Sequence, residues 1–339
     1  MTRTVALLGA TGYTGRLTAA ELARRGVPHV LGGRDMRRLD AVPSSGVRHI
    51  VDHGDPASLD AFLGRADAVI SCAGPFAQIG MPVVEAAVRT GTPYVDSTGE
   101  PAFMRQVYDR FGGEGTPVVP ACGFDYIPGD LAAAVAAAEL GQAPEEVSVL
   151  YAITGGKASR GTARTAAGAF AAMQLRPRRL VLTGPDGPVQ GVEVPWGEQL
   201  TVPLHLPGAR VHTAVGAPAA LARAASVLGF AAPALAPVSR LAAPLLTRLA
   251  DRMPEGPSVE ERGRARALVL AEASAGGRTV RVAVRLRDVY GITARFLVEA
   301  ALTVAGEGAM APAQALDPRA FLDAVAFEDP TADLSWQVL

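Results

Sequence analysis

Short apolar runs recur through the first third of the chain, separated by stretches whose apolar residues return every three or four positions. That alternation marks βαβ units and a parallel sheet. Val5-Ala-Leu-Leu8 carries no polar residue and predicts a first strand buried on both faces. A glycine-rich turn and a helix over Arg16–Arg25 follow. His29-Val-Leu31, Arg48–Val51 and Ala68-Val-Ile-Ser71 predict the next three strands, and Pro82–Arg89 a helix. Pro93-Tyr-Val95 predicts a fifth strand. Ser97-Thr-Gly-Glu100 has the spacing of a capping box, with Pro101 at the first helical position. Pro117-Val-Val-Pro120 completes six strands, the number of a doubly wound sheet.

Beyond Asp130, itself expected to cap a helix, the pattern changes. Leu131–Leu140 is alanine-rich helix, and Val147–Thr154 alternates with period two. Val280, Val282, Val284 and Leu286 alternate with polar positions, a strand with one wet face. Ala267–Ala273 pairs with it through Gly276-Gly277, and the proline- and glycine-rich stretch 184–208 predicts strand and loop. The expected fold class is α/β: an N-terminal Rossmann doubly wound parallel sheet with a second α+β substrate domain. The domains read as 1–130 for dinucleotide binding, 131–325 for substrate and oligomerisation, and 326–339 as a C-terminal tail. The segment Thr213–Asp251, with leucines at 241, 245 and 249 and its apolar run broken by Pro233, Pro237 and Pro244, reads either as core helices or as a mobile apolar lid.

Composition narrows the function. Of 339 residues, 49% are hydrophobic and 19% charged, which excludes a disordered chain. Lys+Arg of 32 against Asp+Glu of 33 leaves no basic excess for a nucleic-acid backbone. Two cysteines build no disulfide framework and fit a reducing cytoplasm. No signal-peptide core and no comfortable membrane span is legible. The expectation is a soluble cytoplasmic protein, with a homodimer left open. Lys157 is the only lysine.

Gly9-Ala-Thr-Gly12-Tyr-Thr-Gly15 lies directly between a predicted strand and helix. Glycines there permit a tight turn and let a pyrophosphate reach backbone N–H groups at the positive helix end. Gly9, Thr11, Gly12, Tyr13, Thr14 and Gly15 are therefore candidate cofactor-binding residues. At the end of the second strand, Gly32-Gly-Arg34-Asp35 offers a guanidinium to a 2′-phosphate, which favours NADP(H). Asp35 keeps the NAD(H) alternative open. Asp52 is placed to meet the adenine amino group or to cap a helix before Pro56. After the fourth strand, Ala73, Gly74 and Pro75 are small enough for the nicotinamide ribose to approach the backbone. Cys72 reads as a small buried residue rather than a nucleophile.

These segments together resemble the saccharopine dehydrogenase-like oxidoreductases, which include trans-acting enoyl reductases of lipid and polyketide pathways. The motifs carrying the resemblance are 9–15, 32–34, Cys72-Ala-Gly-Pro-Phe76, Tyr94-Val-Asp-Ser-Thr-Gly-Glu100, Pro120-Ala-Cys-Gly-Phe-Asp125 and Pro128-Gly-Asp130. Gly155-Gly156, Ser159, Gly161-Thr162 and Met310–Gln314 extend it weakly into the second domain. The resemblance implies a Rossmann domain, bound NADP and reduction of a C=C or C=N bond. Departures fall at Lys157 and Arg160, in a loop the family fills with small residues, and at Tyr126, where a small residue is common.

The protein must position substrate and manage one proton. Tyr126 either donates that proton or walls the pocket, and Asp125 either holds a cationic substrate or caps a turn. Lys157 and Arg160 open an expected helix over Thr162–Met173; they are either solvated or meet a carboxylate, phosphate or phosphopantetheine. The catalytic candidates are Tyr126, Asp125 and Lys157, and the substrate candidates are Arg160, Ser159 and Phe76. His205 and His212 read as structural, and no spacing suggests a metal site. The expected activity is NADP(H)-dependent reduction of an enoyl bond in a small-molecule or acyl-thioester substrate, with an acyl carrier protein as a candidate carrier. Imine reduction and a non-catalytic dinucleotide sensor stand as the alternatives.

Overall fold

A computed structural model of the chain describes residues 3–113, 115–157, 159–161, 163, 178–218, 249, 252–327 and 333–339. Backbone contacts divide it into two units: Met1–Ile127 with Tyr290–Pro330, and Pro128–Val289 with Thr331–Leu339.

The first unit is built on β1 (Val5–Leu8), β2 (His29–Gly33), β3 (Val47–Ile50), β4 (Ala68–Ser71), β5 (Tyr94–Asp96) and β6 (Val118–Val119). They lie in the order β3-β2-β1-β4-β5-β6, every neighbouring pair parallel. Sequence order reverses between β1 and β4, the switch point of a doubly wound sheet. All four residues of β1 and of β4 are buried, as the apolar run of β1 and the uncharged β4 predict. The crossovers are α1 (Tyr13–Arg24), α2 (Met36–Asp40), α3 (Pro56–Leu63), α4 (Phe76–Thr90) and α5 (Pro101–Phe111). One continuous core joins Ala6, Leu8 and Val69 of the strands to Phe62, Val83, Val84, Phe103 and Val107 of the helices.

Two expectations fail here for one reason. The helix after β4 starts at Phe76, not at Pro82, although Pro82 inside it offers no N–H to the preceding turn. The Ser97–Glu100 capping box does not form either: Glu100 precedes α5 without a side-chain cap bond. Its carboxylate instead accepts the Phe76 and Ala77 N–H groups, both at 2.9 Å, and so secures the first turn of α4. Local spacing cannot reveal a cap supplied from another loop.

The second unit opens with α6 (Ile127–Leu140), most of which belongs to it, and holds a mixed sheet of β7 (Glu146–Thr154), β8 (Arg179–Gly184), β9 (Gly187–Glu193), β10 (Arg210–Gly216), β11 (Arg266–Ala275), β12 (Arg278–Arg287) and β13 (Leu334–Val338). Their order is β13-β12-β11-β7-β10-β9-β8. Only β10 with β7 is parallel among these pairs. The β11–β12 hairpin turns at Gly276-Gly277 as expected. The stretch expected as strand and loop also contains α7 (Glu198–His205), which buries Glu198, Thr201 and Val202 at helical spacing despite Pro203. Asp130 is not a cap: it lies in the first turn of α6, fully buried, and its Oδ1 meets His205 Nε2 at 2.9 Å. Beside that pair, the Tyr151 hydroxyl donates to Glu198. A short α8 (Val259–Arg264) closes the described part before β11.

After β12 the chain returns to the first unit as α9 (Val289–Thr303), α10 (Pro312–Ala315) and α11 (Pro318–Phe327). Val118 donates to Gly308 O and accepts from Met310 N–H, both at 2.9 Å, so the segment 308–310 hydrogen-bonds along β6. Nearly all of the segment Thr213–Asp251, with its lid-or-core question, and the helix expected over Thr162–Met173 lie outside the described residues. No helix among the described residues is long and apolar enough to cross a membrane.

Candidate dinucleotide site and its neighbouring loops

The turn between β1 and α1 is shaped by close backbone packing. Gly9 has φ +80° and donates to Gly32 O at 3.1 Å; a Cβ there would sit 2.7 Å from Ala73 N. A Cβ on Gly15 would sit 2.1 Å from Gly9 O. The first position needs a left-handed backbone, the second the absence of any side chain. The loop therefore lies directly against the end of β4, across the switch point. Thr11, Gly12, Tyr13 and Thr14 remain partly exposed around it. Arg16 Nη1 donates to Thr11 O at 2.7 Å, and the Tyr13 ring meets Tyr290 of α9 edge-on at 5.3 Å.

What separates α1 from α2, α3 and α4 is how each helix start is satisfied. The first turn of any helix presents N–H groups that lack a partner within the helix. On α2, Asp35 accepts from Arg37 and Arg38 N–H; on α3, Asp55 accepts from Ala57 N–H; on α4, Glu100 does the same work from afar. Gly12, at the start of α1, has no side chain to offer, and no acidic residue lies in that first turn. The positive end of α1 thus has no side-chain cap from Gly12 and no carboxylate in its first turn, the arrangement in which a helix start can accept an anion.

At the end of β2, Arg34 is exposed while Asp35 is committed to capping α2. Its Oδ1 is the oxygen that makes both cap bonds. Asp52, past β3, is exposed and accepts Gly54 N–H at 2.9 Å; the cap before Pro56 is Asp55, not Asp52. Past β4, Gly74 and Pro75 are exposed on either side of a cis peptide bond, with Ala73 partly so. Phe76, expected to touch substrate, is 6% exposed and packs its ring on Phe103 at 5.6 Å, within the core. Burial pushes the Cys72 thiol up to about 12, which leaves it protonated and inert at neutral pH.

The carboxyl ends of β5 and β6 carry the groups able to handle a proton. Asp96 is fully buried and burial pushes its carboxyl up to about 6, against the opposing pull of hydrogen bonds from Ala121 and Thr98 N–H. Asp125, partly exposed beyond β6, is also pushed up to about 6 by burial. Tyr126 is 1% exposed, and its hydroxyl donates to Gly99 O at 3.3 Å. Phe124 N–H donates to Thr293 Oγ1 of α9 at 3.1 Å.

The first unit thus brings together 9–15, Arg34, 73–75, 96–100 and Asp125-Tyr126 along one sheet edge. Lys157, Ser159 and Arg160 belong to the second unit. The Lys157 ammonium meets an anion of the chain itself, Glu261 at 2.5 Å, and Arg160 Nε donates to Met253 O at 2.9 Å. Ser159 is buried. Among the described residues no group of three or more His, Cys, Asp or Glu is placed to hold a metal ion. Sequence reasoning missed Asp96, Thr98, Glu100 and Thr293. The first three sit inside a quoted motif, but the partners that link them to other loops, Ala121 for Asp96 and Phe76 and Ala77 for Glu100, are distant in sequence.

Residues 5–119 match the family model described as saccharopine dehydrogenase NADP binding domain. The first unit carries that NADP-binding domain. Over 140 residues, 38% of its length, the chain is 38% identical to a trans-acting enoyl reductase of Mycobacterium leprae and 37% identical to one of Mycobacterium bovis. It spans only 34% of the length of each of those relatives. Saccharopine dehydrogenase (L-Glu forming) from Saccharomyces cerevisiae shares the fold, with a TM-score of 0.66 at 14% identity over 99% of this chain and 100% of that one.

Proposed function

We propose that the protein is an NADPH-dependent reductase that saturates an enoyl C=C bond in an acyl thioester of a lipid or polyketide intermediate, presented on a carrier domain of a partner protein. The observation that carries the cofactor half is the open start of α1 beside an exposed Arg34 whose neighbour Asp35 is already engaged. The C=C half is supported by the names of the mycobacterial relatives, whose likeness covers 38% of this chain.

In this reading the glycine loop and the first turn of α1 bind the pyrophosphate, Arg34 the 2′-phosphate, and the Ala73–Pro75 backbone borders the nicotinamide ribose. The cofactor, when bound, supplies the hydride. Hydride addition to the β-carbon leaves an enolate that needs one proton at the α-carbon. Asp125 is the assigned donor, because it follows β6 at the carboxyl edge of the sheet and burial pushes its carboxyl up to about 6, above an ordinary aspartate. Tyr126, buried with its hydroxyl donating to Gly99 O, is assigned to the pocket wall.

The test follows NADPH absorbance at 340 nm with enoyl thioesters, and separately with keto-acid and amine pairs. Turnover of the first set supports the proposal; turnover of the second alone redirects it to imine reduction. Tight NADPH binding with neither turnover points to a sensor. For the donor, kcat falls as pH rises through about 6, since the protonated form is the one that donates. Asp125→Asn removes that dependence and lowers kcat by about 10²–10⁴-fold. A fully active Asp125→Asn protein returns the donor role to another group.

A further inference from the structure

We propose that Glu100 and Asp96 are positioning residues that lock the loop after β4 and the loop after β6 into one frame, fixing the distance between the nicotinamide wall and the proton donor. This inference rests on the reductase reading above and names residues that neither the fold nor the glycine motif assigns.

The contacts run in sequence across the sheet edge. Asp96 Oδ2 accepts the Tyr94 hydroxyl at 2.7 Å, while Oδ1 accepts Thr98 N–H at 2.9 Å and Ala121 N–H at 2.8 Å. Its own carbonyl accepts Cys122 N–H at 2.7 Å. Ala121 has φ +64°, a left-handed backbone that costs energy without glycine and needs the surrounding structure to hold it. Asp96 is what holds it. From Thr98, Oγ1 accepts Glu100 N–H at 3.1 Å, and the Glu100 carboxylate then grips Phe76 and Ala77 N–H at the start of α4. Between Thr98 and Glu100, Gly99 O takes the Tyr126 hydroxyl. Two carboxylates and one hydroxyl thus bind together the loops that follow β4, β5 and β6.

A helix start is ordinarily capped by the residue just before it. At α4 that residue is Pro75, which has no oxygen in its side chain, and the cap arrives from Glu100, 24 positions after Phe76. A local cap fixes its own helix. A cap from a neighbouring loop also fixes the separation of the two loops, here the one carrying Ala73–Pro75 and the one anchored to Tyr126. Because Asp125 directly precedes Tyr126, the frame sets where the donor's carboxyl stands.

The experiment compares the full chain with Glu100→Gln and Glu100→Ala, reading NADPH Kd, kcat, KM and amide hydrogen exchange. In Glu100→Ala, kcat falls on the order of a hundredfold, as for a displaced reacting group. NADPH Kd stays unchanged, because α1 and Arg34 hold the cofactor's phosphates. Exchange quickens at Phe76 and Ala77 and also at residues 121–126. Glu100→Gln keeps one acceptor oxygen and falls between the two; it carries the comparison alone if the alanine protein does not fold. Faster exchange confined to Phe76 and Ala77, or a kcat equal to that of the unaltered chain, overturns the proposal and leaves Glu100 a local cap. If the unaltered chain reduces no enoyl thioester, the reductase reading fails, while the exchange data still decide whether the frame exists.

Discussion

The starts of α1 and α4 stand side by side across the switch point, each reached from a buried strand through a loop of small residues. One is open and the other is filled. At α1 the chain offers glycine and no carboxylate, so the N–H groups and the helix dipole face an incoming anion. At α4 the same kind of positive end is neutralised from within by Glu100. A parallel sheet generates several helix starts along one edge, and side chains on neighbouring loops decide which of them a ligand meets.

The largest effect on this contrast comes from deforming the glycine turn that leads into the open end. Gly15→Ala places a Cβ against Gly9 O, and overpacking of this kind costs roughly 3 kcal/mol. Thermal denaturation should show that loss, and NADPH titration should show no measurable binding. Full affinity in this variant would mean that the anion site is not at α1.

Next comes Arg34→Ala. A charge-assisted contact to the 2′-phosphate is worth about 1.5–3 kcal/mol, or roughly tenfold to a hundredfold in NADPH affinity. NADH affinity stays nearly constant, so the ratio of the two dissociation constants is the quantity to measure. Equal affinities in the unaltered protein would refute the assignment.

The smallest effect tests whether Asp35 is spent on its cap. Asp35→Ala removes the acceptor for Arg37 and Arg38 N–H and lowers stability by about 1 kcal/mol. The NADPH-to-NADH ratio does not move. A shift toward NADPH would show that Asp35 also reads the ribose.

Much of this contrast was legible in the sequence on its open side. The strand VALL, the three glycines and the arginine at the second strand end each have a local physical meaning, and the structure has them within one parallel sheet. The filled side was not legible. Glu100 stands at the right spacing for a capping box on its own helix, and only the folded chain shows that its carboxylate turns to α4 instead. Asp130 failed similarly: a carboxylate near a helix start reads as a cap, but His205, distant in sequence, engages it inside the second unit. Propensity and spacing report local partners. They are silent about a side chain whose partner is brought in by the sheet.

The backbone bonds between Val118 and the segment Gly308–Met310 bear on how the protein is made. The chain visits the first unit, the second, the first again and then the second, where β13 adds to β12. As the chain leaves the ribosome, residues 3–127 emerge long before Gly308 and Met310 exist, and the Val118 N–H and C=O wait for those partners. Neither sheet has its full complement of hydrogen bonds until residues 308–310 and 334–338 have been made. An excised Rossmann segment ending near residue 130 would keep that bare strand edge permanently, and unpaired edges invite association between chains. The cofactor domain of this protein is therefore a unit of architecture but not a unit of synthesis.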